Sequence, residues 1–324
     1  MIIDFSAHII PRHVGKILIK KSYYGPIEEG KEYTFTYPLE NDDPQYRLVI
    51  MEKFGVDMQL LSPTAPMLLG FDDEVSEIAR MTNDYIGDIC NKYPERFMGC
   101  ALISLLDVES ALEELDRCAG ELGFRCVTIS TNQNGKGLDS EEYHPFYERV
   151  IKYDVPIFLH PTNWESYPLV DLYKGWMALP IFGWPFDTTQ AVWRLIFGAV
   201  LDKFPALKIV THHLGGMLPY YSRRAITVAE SCSPLKRKLS RPLESYFKQI
   251  YGDTALNGGP LQSLICGYAF FGPERMLFGS DYPFGPPEIF IAENIAGIKA
   301  MPIPNEEKGK ILGKNAAKLL KLKH

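Results

Sequence analysis

Residues 208–219, KIVTHHLGGMLP, decide how the chain is read. Lys208 to Thr211 is a short apolar, β-branched run bounded by Pro205 before it and by glycines after it, the pattern of a buried strand. The run delivers two adjacent histidines, His212 and His213, and then Gly215 and Gly216, which let the backbone turn tightly. Neighbouring residues on a strand point to opposite faces, so only one of the two imidazoles is expected to face a given site. Which one does so is open at this level.

Three other short apolar runs carry polar residues in the same way. They are MIIDFSAH ending on His8, PIFLH ending on His160, and MLFGSD ending on Asp281. Metal-capable residues recurring at the C-terminal ends of buried parallel strands are the pattern of a (β/α)8 barrel active site. Working outward, strands are expected at 1–8, 58–62, 97–102, 124–130, 156–160, 208–211, 250–254 and 276–280. Helical periodicity falls between them, at about 43–54, 72–92, 108–122, 140–153, 187–203, 217–231 and 305–320. The expected fold is a single (β/α)8 TIM barrel over residues 1–324, with loops inserted after strands one and five. The first insertion, from Pro11 to Pro38, reads as a loop or small hairpin; the second, from Trp164 to Trp184, is rich in aromatic residues. A doubly wound open sheet is the alternative, but no GxGxxG follows any strand.

Composition narrows the function. The chain has 324 residues, 46% of them apolar, and a formal net charge of -6 with no basic run before its C-terminal end. That balance argues against a nucleic-acid or anionic-membrane partner. No apolar run is long enough to span a bilayer, and Met1 leads straight into a strand without a leader pattern. The six scattered cysteines include no CxxC pair and read as thiols of a reduced, cytoplasmic protein.

His8, His160 and Asp281 come from three strand ends, and two imidazoles with one carboxylate suit Zn²⁺ or a similar divalent ion. His213 is the candidate general acid or base, with His212 as its competitor. Arg47 and Arg224 are candidate carboxylate clamps, because a guanidinium fork binds carboxylate through two parallel hydrogen bonds. Trp184, with Trp164, Tyr167, Trp176, Phe182 and Phe186, suits either a pocket for a planar substrate or a subunit interface.

Several stretches, in order and spacing, resemble the decarboxylase-like branch of the amidohydrolase superfamily. They are IDFSAHIIP, DPQYRLVIMEKFGVDMQLLS, GFRCVTISTNQNGKGLDSEEYHPFYERV, VPIFLHPTN, WPFDTTQAVWRLIFGAVLDKFPALKIVTHHLGGMLPYYSRR, YGDTA and ERMLFGSDYPF. That branch includes aminocarboxymuconate semialdehyde decarboxylase and the γ-resorcylate-type decarboxylases. The resemblance implies one divalent metal, usually zinc, with manganese or another ion as alternatives. Its ligands would be an opening HxH or ExH pair, a histidine after strand five and an aspartate after strand eight. Here those positions are Ser6, His8, His160 and Asp281, the last also a candidate base. His213 takes the place of the catalytic histidine because it starts the HxGG turn. Arg47 and Arg224 fall at substrate-carboxylate positions, and Arg224 would reach into a partner subunit, which implies a homodimer.

Ser6 departs from the pattern, since a neutral hydroxyl is a poor ligand for zinc. Three outcomes are compatible with it: a metal on three protein ligands with water in the fourth place, a weakly bound or different ion, or no metal at all. The expected reaction is non-oxidative decarboxylation of an unsaturated or aromatic carboxylate. The alternatives are hydrolysis of a lactone, amide or C–C bond or hydration of an unsaturated acid, and a non-catalytic protein that binds small carboxylates.

Overall fold

Eight short strands, each presenting alternate residues inward, close around an apolar interior. The computed structural model describes residues 1–20, 33–34, 37–38, 43–64, 74–162, 179–231 and 239–322. The strands are β1 (Ile3–His8), β2 (Met58–Ser62), β3 (Phe97–Leu102), β4 (Cys126–Ser130), β5 (Ile157–His160), β6 (Ile209–Thr211), β7 (Ile250–Asp253) and β8 (Met276–Leu277). Each pairs in parallel with its neighbours in chain order. The ring closes between its first and last strands: Phe5 N donates to Phe278 O at 2.8 Å, Asp281 N to Ser6 O at 3.0 Å, and His8 N to Tyr282 O at 2.7 Å. Eight parallel strands joined end to end with helices outside are the (β/α)8 barrel the sequence predicts.

Period-two alternation builds the interior in layers. Phe5, Leu60, Phe158, Val210 and Leu277 share one buried apolar cluster inside the ring. Ala316, Ala317 and Leu319 of the last helical turn, Asn315–Leu319, join that cluster and fill the N-terminal mouth. One step further along the inward face stand His160 after Phe158, His212 after Val210 and Asp253 after Tyr251. The apolar layer is thus a floor under a polar one at the C-terminal mouth. A second, larger core lies between strands and surrounding helices.

Those helices include α1 (Arg12–Lys20), α2 (Pro44–Phe54), α3 (Val75–Lys92), α4 (Val108–Gly120), α5 (His144–Tyr153), α6 (Trp184–Phe197), α7 (Leu218–Glu230) and α8 (Leu261–Phe271). Local chemistry sets several boundaries. Asp43 caps α2 by accepting from Gln45 N at 2.8 Å, Pro44 starts it, and Gly55 ends it in the left-handed region at φ 69°.

Two expectations are corrected. The insertion after β1 opens with a helix, α1, before a small hairpin of Tyr33–Thr34 with Tyr37–Pro38. Val14 and Ile17, one helical turn apart, pack with Ile10, Val75 and Ile78, so tertiary burial overrides the Gly- and Tyr-rich appearance of the segment. The single helix expected over 187–203 starts earlier, at Trp184, and breaks at Gly198 and Ala199, where Ala199 has φ 63°. A Cβ at Gly198 would lie 2.4 Å from the Cβ of Asp139, so the close approach there demands glycine.

Candidate active site

The inward face of the C-terminal layer brings four imidazoles and two carboxylates together. His8 ends β1 and His160 ends β5; His212 follows β6, Asp253 ends β7 and Asp281 follows β8. All five of these are buried. His8 Nε2 is 3.2 Å from Asp281 Oδ1 and 3.3 Å from His212 Nε2. His212 Nε2 is itself 3.3 Å from Asp281 Oδ1. One ligand atom each from His8, His160 and His212 lies within 4.8 Å of the others, and the same holds for His212, His213 and Asp281.

The outer edges of the rings are tied down. His8 Nδ1 donates to Ser62 O at 3.0 Å, His160 Nδ1 to Pro161 O at 2.8 Å, and His212 Nδ1 to Asp253 Oδ2 at 2.5 Å. Anchoring Nδ1–H in this way orients each ring with Nε2 aimed inward, the arrangement found around protein-bound metals. Burial, and then the neighbouring His212 and His8, hold His160 well below the ordinary histidine range, so it stays neutral as a ligand must. Burial alone would raise Asp281, but the imidazoles of His212, His213 and His8 keep its carboxyl well below the usual carboxylate range. Burial also opposes a charge on His212, yet Asp253 and Asp281 outweigh it and raise that group to about 10. Whatever cation enters, the site is built to hold positive charge.

Both histidines of the quoted stretch face the site, which corrects the expectation of one. His212 keeps an extended backbone (φ -73°, ψ 161°) and continues the inward face of β6. His213 then takes φ 50°, and Leu214 φ 52°, so strand alternation no longer governs where its ring points. Non-glycine residues in this region are strained, and Asp281 at φ 63° is another, so the backbone is bent at two ligand-bearing corners. The two imidazole centroids end 3.8 Å apart. His213 Nε2 lies 3.7 Å from Asp281 Oδ2, and burial followed by the charge of His212 lowers its proton affinity.

Trp184 is brought to the same place from the start of α6. Its ring stacks on His213 with 5° between the planes and 5.8 Å between centroids. Asp187, one turn on, accepts from the Thr131 hydroxyl and from Thr162 N at 2.9 Å, which ties the start of α6 to the ends of β4 and β5. Trp184 Nε1 and His213 Nδ1 are both buried and find no hydrogen-bond partner among the described residues. Unsatisfied buried polar atoms are rare, and two on one aromatic wall mark a place where a ligand's polar groups fit.

The family model for amidohydrolases matches residues 3–322. The chain belongs to the amidohydrolase family. Among its relatives, γ-resorcylate decarboxylase of Rhizobium sp. (strain MTP-10005) is 32% identical over 298 residues, covering 85% of this chain and 86% of the relative. The 2-amino-3-carboxymuconate-6-semialdehyde decarboxylase of Dictyostelium discoideum is 27% identical and covers 99% of this chain and 91% of its own. A dihydroxybenzoic acid decarboxylase from Polaromonas sp. JS666, solved with bound manganese and the inhibitor 2-nitroresorcinol, superposes with a TM-score of 0.83 at 28% identity. That likeness covers 99% of this chain and 97% of the solved one.

Against this amidohydrolase frame the remaining candidates fall as follows. Of the expected metal ligands, His8 lies beside Asp281 and groups with His160 and His212, and Asp281 groups with His212 and His213. Ser6 Oγ is buried, has no hydrogen-bond partner among the described residues, and would lie 2.2 Å from a Cβ at Gly279, beside Asp253. Arg47 is 1% exposed; it donates to the carbonyl of His8, lies 3.5 Å from Gln59 Oε1 and sits 5.3 Å over the Tyr282 ring. It therefore braces the ligand strand from behind. Arg224 is not brought to the imidazoles of its own chain; it lines a surface groove with Trp193, Tyr221 and Val228. Of the aromatic insertion, Trp164, Tyr167 and Trp176 lie outside the described residues.

Sequence reading missed Asp253 and Asp187. YGDTA marks Asp253 as the last residue of a strand, and that position was the available signal; Asp187 looked like an ordinary helix-start acid.

Proposed function

We propose that this chain is a metal-dependent carboxy-lyase that removes CO2 non-oxidatively from an aromatic or unsaturated carboxylic acid, with a hydroxybenzoate of the γ-resorcylate type as the leading substrate. The observation that carries the reading is the juxtaposition of the His8, His160 and His212 group, with Asp281 beside it, with the stacked pair of Trp184 and His213. One half suits a cation, the other a planar ring. The decarboxylase relatives, and 2-nitroresorcinol in the solved one, support the same class. When bound, the metal supplies Lewis-acid polarisation of substrate oxygens beside the scissile carboxylate. Its identity is proposed as zinc or manganese; imidazole and carboxylate donors suit both, and the solved relative carries manganese.

The chain's own residues then do the rest. Trp184 lays the ring flat and offers Nε1–H to a ring substituent or the carboxylate. With Asp281 facing Nε2 of His213, the ring proton resides on Nε2 and leaves Nδ1 open to accept another. A proton taken up at Nδ1 gives an imidazolium partnered by Asp281 and stacked on an indole, and its transfer to the ring carbon accompanies the departure of CO2. Burial excludes competing water.

The chain is further read as cytoplasmic and as a homodimer. No described helix is long and apolar enough to cross a membrane. The five cysteines among the described residues are free thiols, which suits a reducing compartment. The dimer reading is supported by the groove beside Arg224, where Tyr220 and Val228 are 78% and 57% exposed. A second copy seated there would bring Arg224 to the substrate carboxylate of its partner.

The test is turnover of γ-resorcylate and a panel of ortho-hydroxybenzoates in D2O containing H2¹⁸O. Stoichiometric CO2 with one deuterium on the vacated carbon and no solvent ¹⁸O in the organic product is the expected result. Incorporation of ¹⁸O into that product would overturn decarboxylation in favour of hydrolysis or hydration.

A further inference from the structure

We propose that His212 is a direct metal ligand, making the protein donor set His8, His160, His212 and Asp281, and that Asp253 is the carboxylate that positions it. The inference rests on the reading that this site takes a divalent ion. It departs from the three-ligand set with Ser6 at the fourth place.

The argument is one of donor atoms. His212 Nδ1 and Asp253 Oδ2 are 2.5 Å apart with both side chains fully buried, so the nitrogen must carry the hydrogen. Nε2 then points inward, as a donor atom able to bind a cation once its own proton is displaced. His8 Nδ1 faces the carbonyl of Ser62, an obligate acceptor, so His8 Nε2 is an acceptor. These two nitrogens stand 3.3 Å apart, and the carboxylate oxygen of Asp281 lies 3.2 and 3.3 Å from them. Three donor atoms converging this closely need positive charge among them, whether a proton on His212 or a metal ion that displaces it. His160 stands with His8 and His212 in one group of possible ligand atoms, and its Nδ1 is held by Pro161 O.

Ser6 offers no comparable donor. Its hydroxyl is neutral and is wedged against the backbone of Gly279. His212 reaches the centre because Val210 already faces inward on β6 and the backbone stays extended for one residue beyond the strand. A donor missing from the first strand is thus supplied by the sixth, and Asp253 on the seventh orients its ring. His213, past the bend, is left for proton transfer.

Chelator-treated protein is titrated with Co²⁺ and with Mn²⁺, reading affinity, the cobalt d–d spectrum, and the strongly shifted exchangeable imidazole N–H signals in the proton spectrum of the cobalt form. The wild type is expected to bind one ion and to show three such N–H signals, one per histidine ligand. His212→Ala is expected to weaken binding at least 100-fold and to alter the d–d band. Asp253→Asn should weaken it about 10- to 100-fold, as loss of an outer-shell carboxylate does. His213→Ala should leave affinity and spectrum unchanged. Two imidazole signals in the wild type, or wild-type affinity in His212→Ala, would overturn the inference and leave the metal reading standing. No binding of either ion by the wild type would sink the metal reading itself. The count of signals needs no variant, so a misfolded His212→Ala does not decide the matter.

Discussion

His212 and His213 are neighbours in sequence with different work. One bond of the chain separates an imidazole held rigidly by a carboxylate from one stacked on Trp184 and facing Asp281, with its Nδ1 unpartnered among the described residues. A buried, hydrogen-bonded ring is fit to hold a cation in place, whereas a ring whose proton affinity is lowered by burial and by a charged neighbour is fit to exchange protons. Replacing His213 with Asn is therefore expected to lower kcat about 100- to 10,000-fold, the usual worth of a general acid or base, while metal content by ICP-MS stays at the wild-type level. Unchanged kcat would remove His213 from the chemistry.

At the scale of elements, the mouth of the barrel is kept in register by side chains that stand in for backbone. Asn83 on α3 is fully buried; its Oδ1 accepts from Leu102 N at 2.8 Å and its Nδ2 donates to Leu102 O at 3.0 Å. It binds both backbone polar groups of the last residue of β3, and the same amide group donates to Glu114 Oε1 at 2.8 Å, tying α3 to α4. Asn83→Ala leaves a buried N–H and carbonyl unpaired, at roughly 1–3 kcal/mol each, so a loss of about 2–6 kcal/mol is expected from urea denaturation midpoints. A loss under about 1 kcal/mol would mean that the strand end finds other partners. Gly279 plays a complementary part on β8's inward face, where any Cβ would displace Ser6 and Asp253.

At the scale of the molecule, one flank differs from the rest. Between α6 and α7 runs an open groove of about 570 Å³ lined by Trp193, Phe197, Met217 and Tyr221, and none of the imidazoles lines it. Tyr220 and Val228 extend the same flank into solvent. Contiguous apolar surface of this kind is what the proposed dimer would cover. If the proposed dimer forms through this face, Val228→Asp together with Tyr220→Lys is expected to yield a monomer by light scattering, with activity lost only to the extent that Arg224 serves the partner's site. A wild-type protein that is monomeric at micromolar concentration would remove this reading.

How much of this was legible in the sequence follows from what is local. Strand ends at His8, His160 and Asp281 were legible because apolar runs of fixed length stop at polar residues, and period two assigns their faces. The caps of α2 were legible because Asp-Pro and Gly have backbone preferences of their own. The helix at Arg12–Lys20 was not, since its apolar stripe acquires meaning only against Ile10, Val75 and Ile78. Nor were the joint inward turn of His212 and His213, the partnership of His212 with Asp253 across 41 residues, or the stacking of Trp184 on His213. Sequence by itself determined the barrel and the strand ends that bear its chemistry, because alternation and chain punctuation act within a few residues. Only the tertiary structure decided which nitrogen faces the centre and which atom holds its partner in place, because those depend on distances between strands that the chain brings together last.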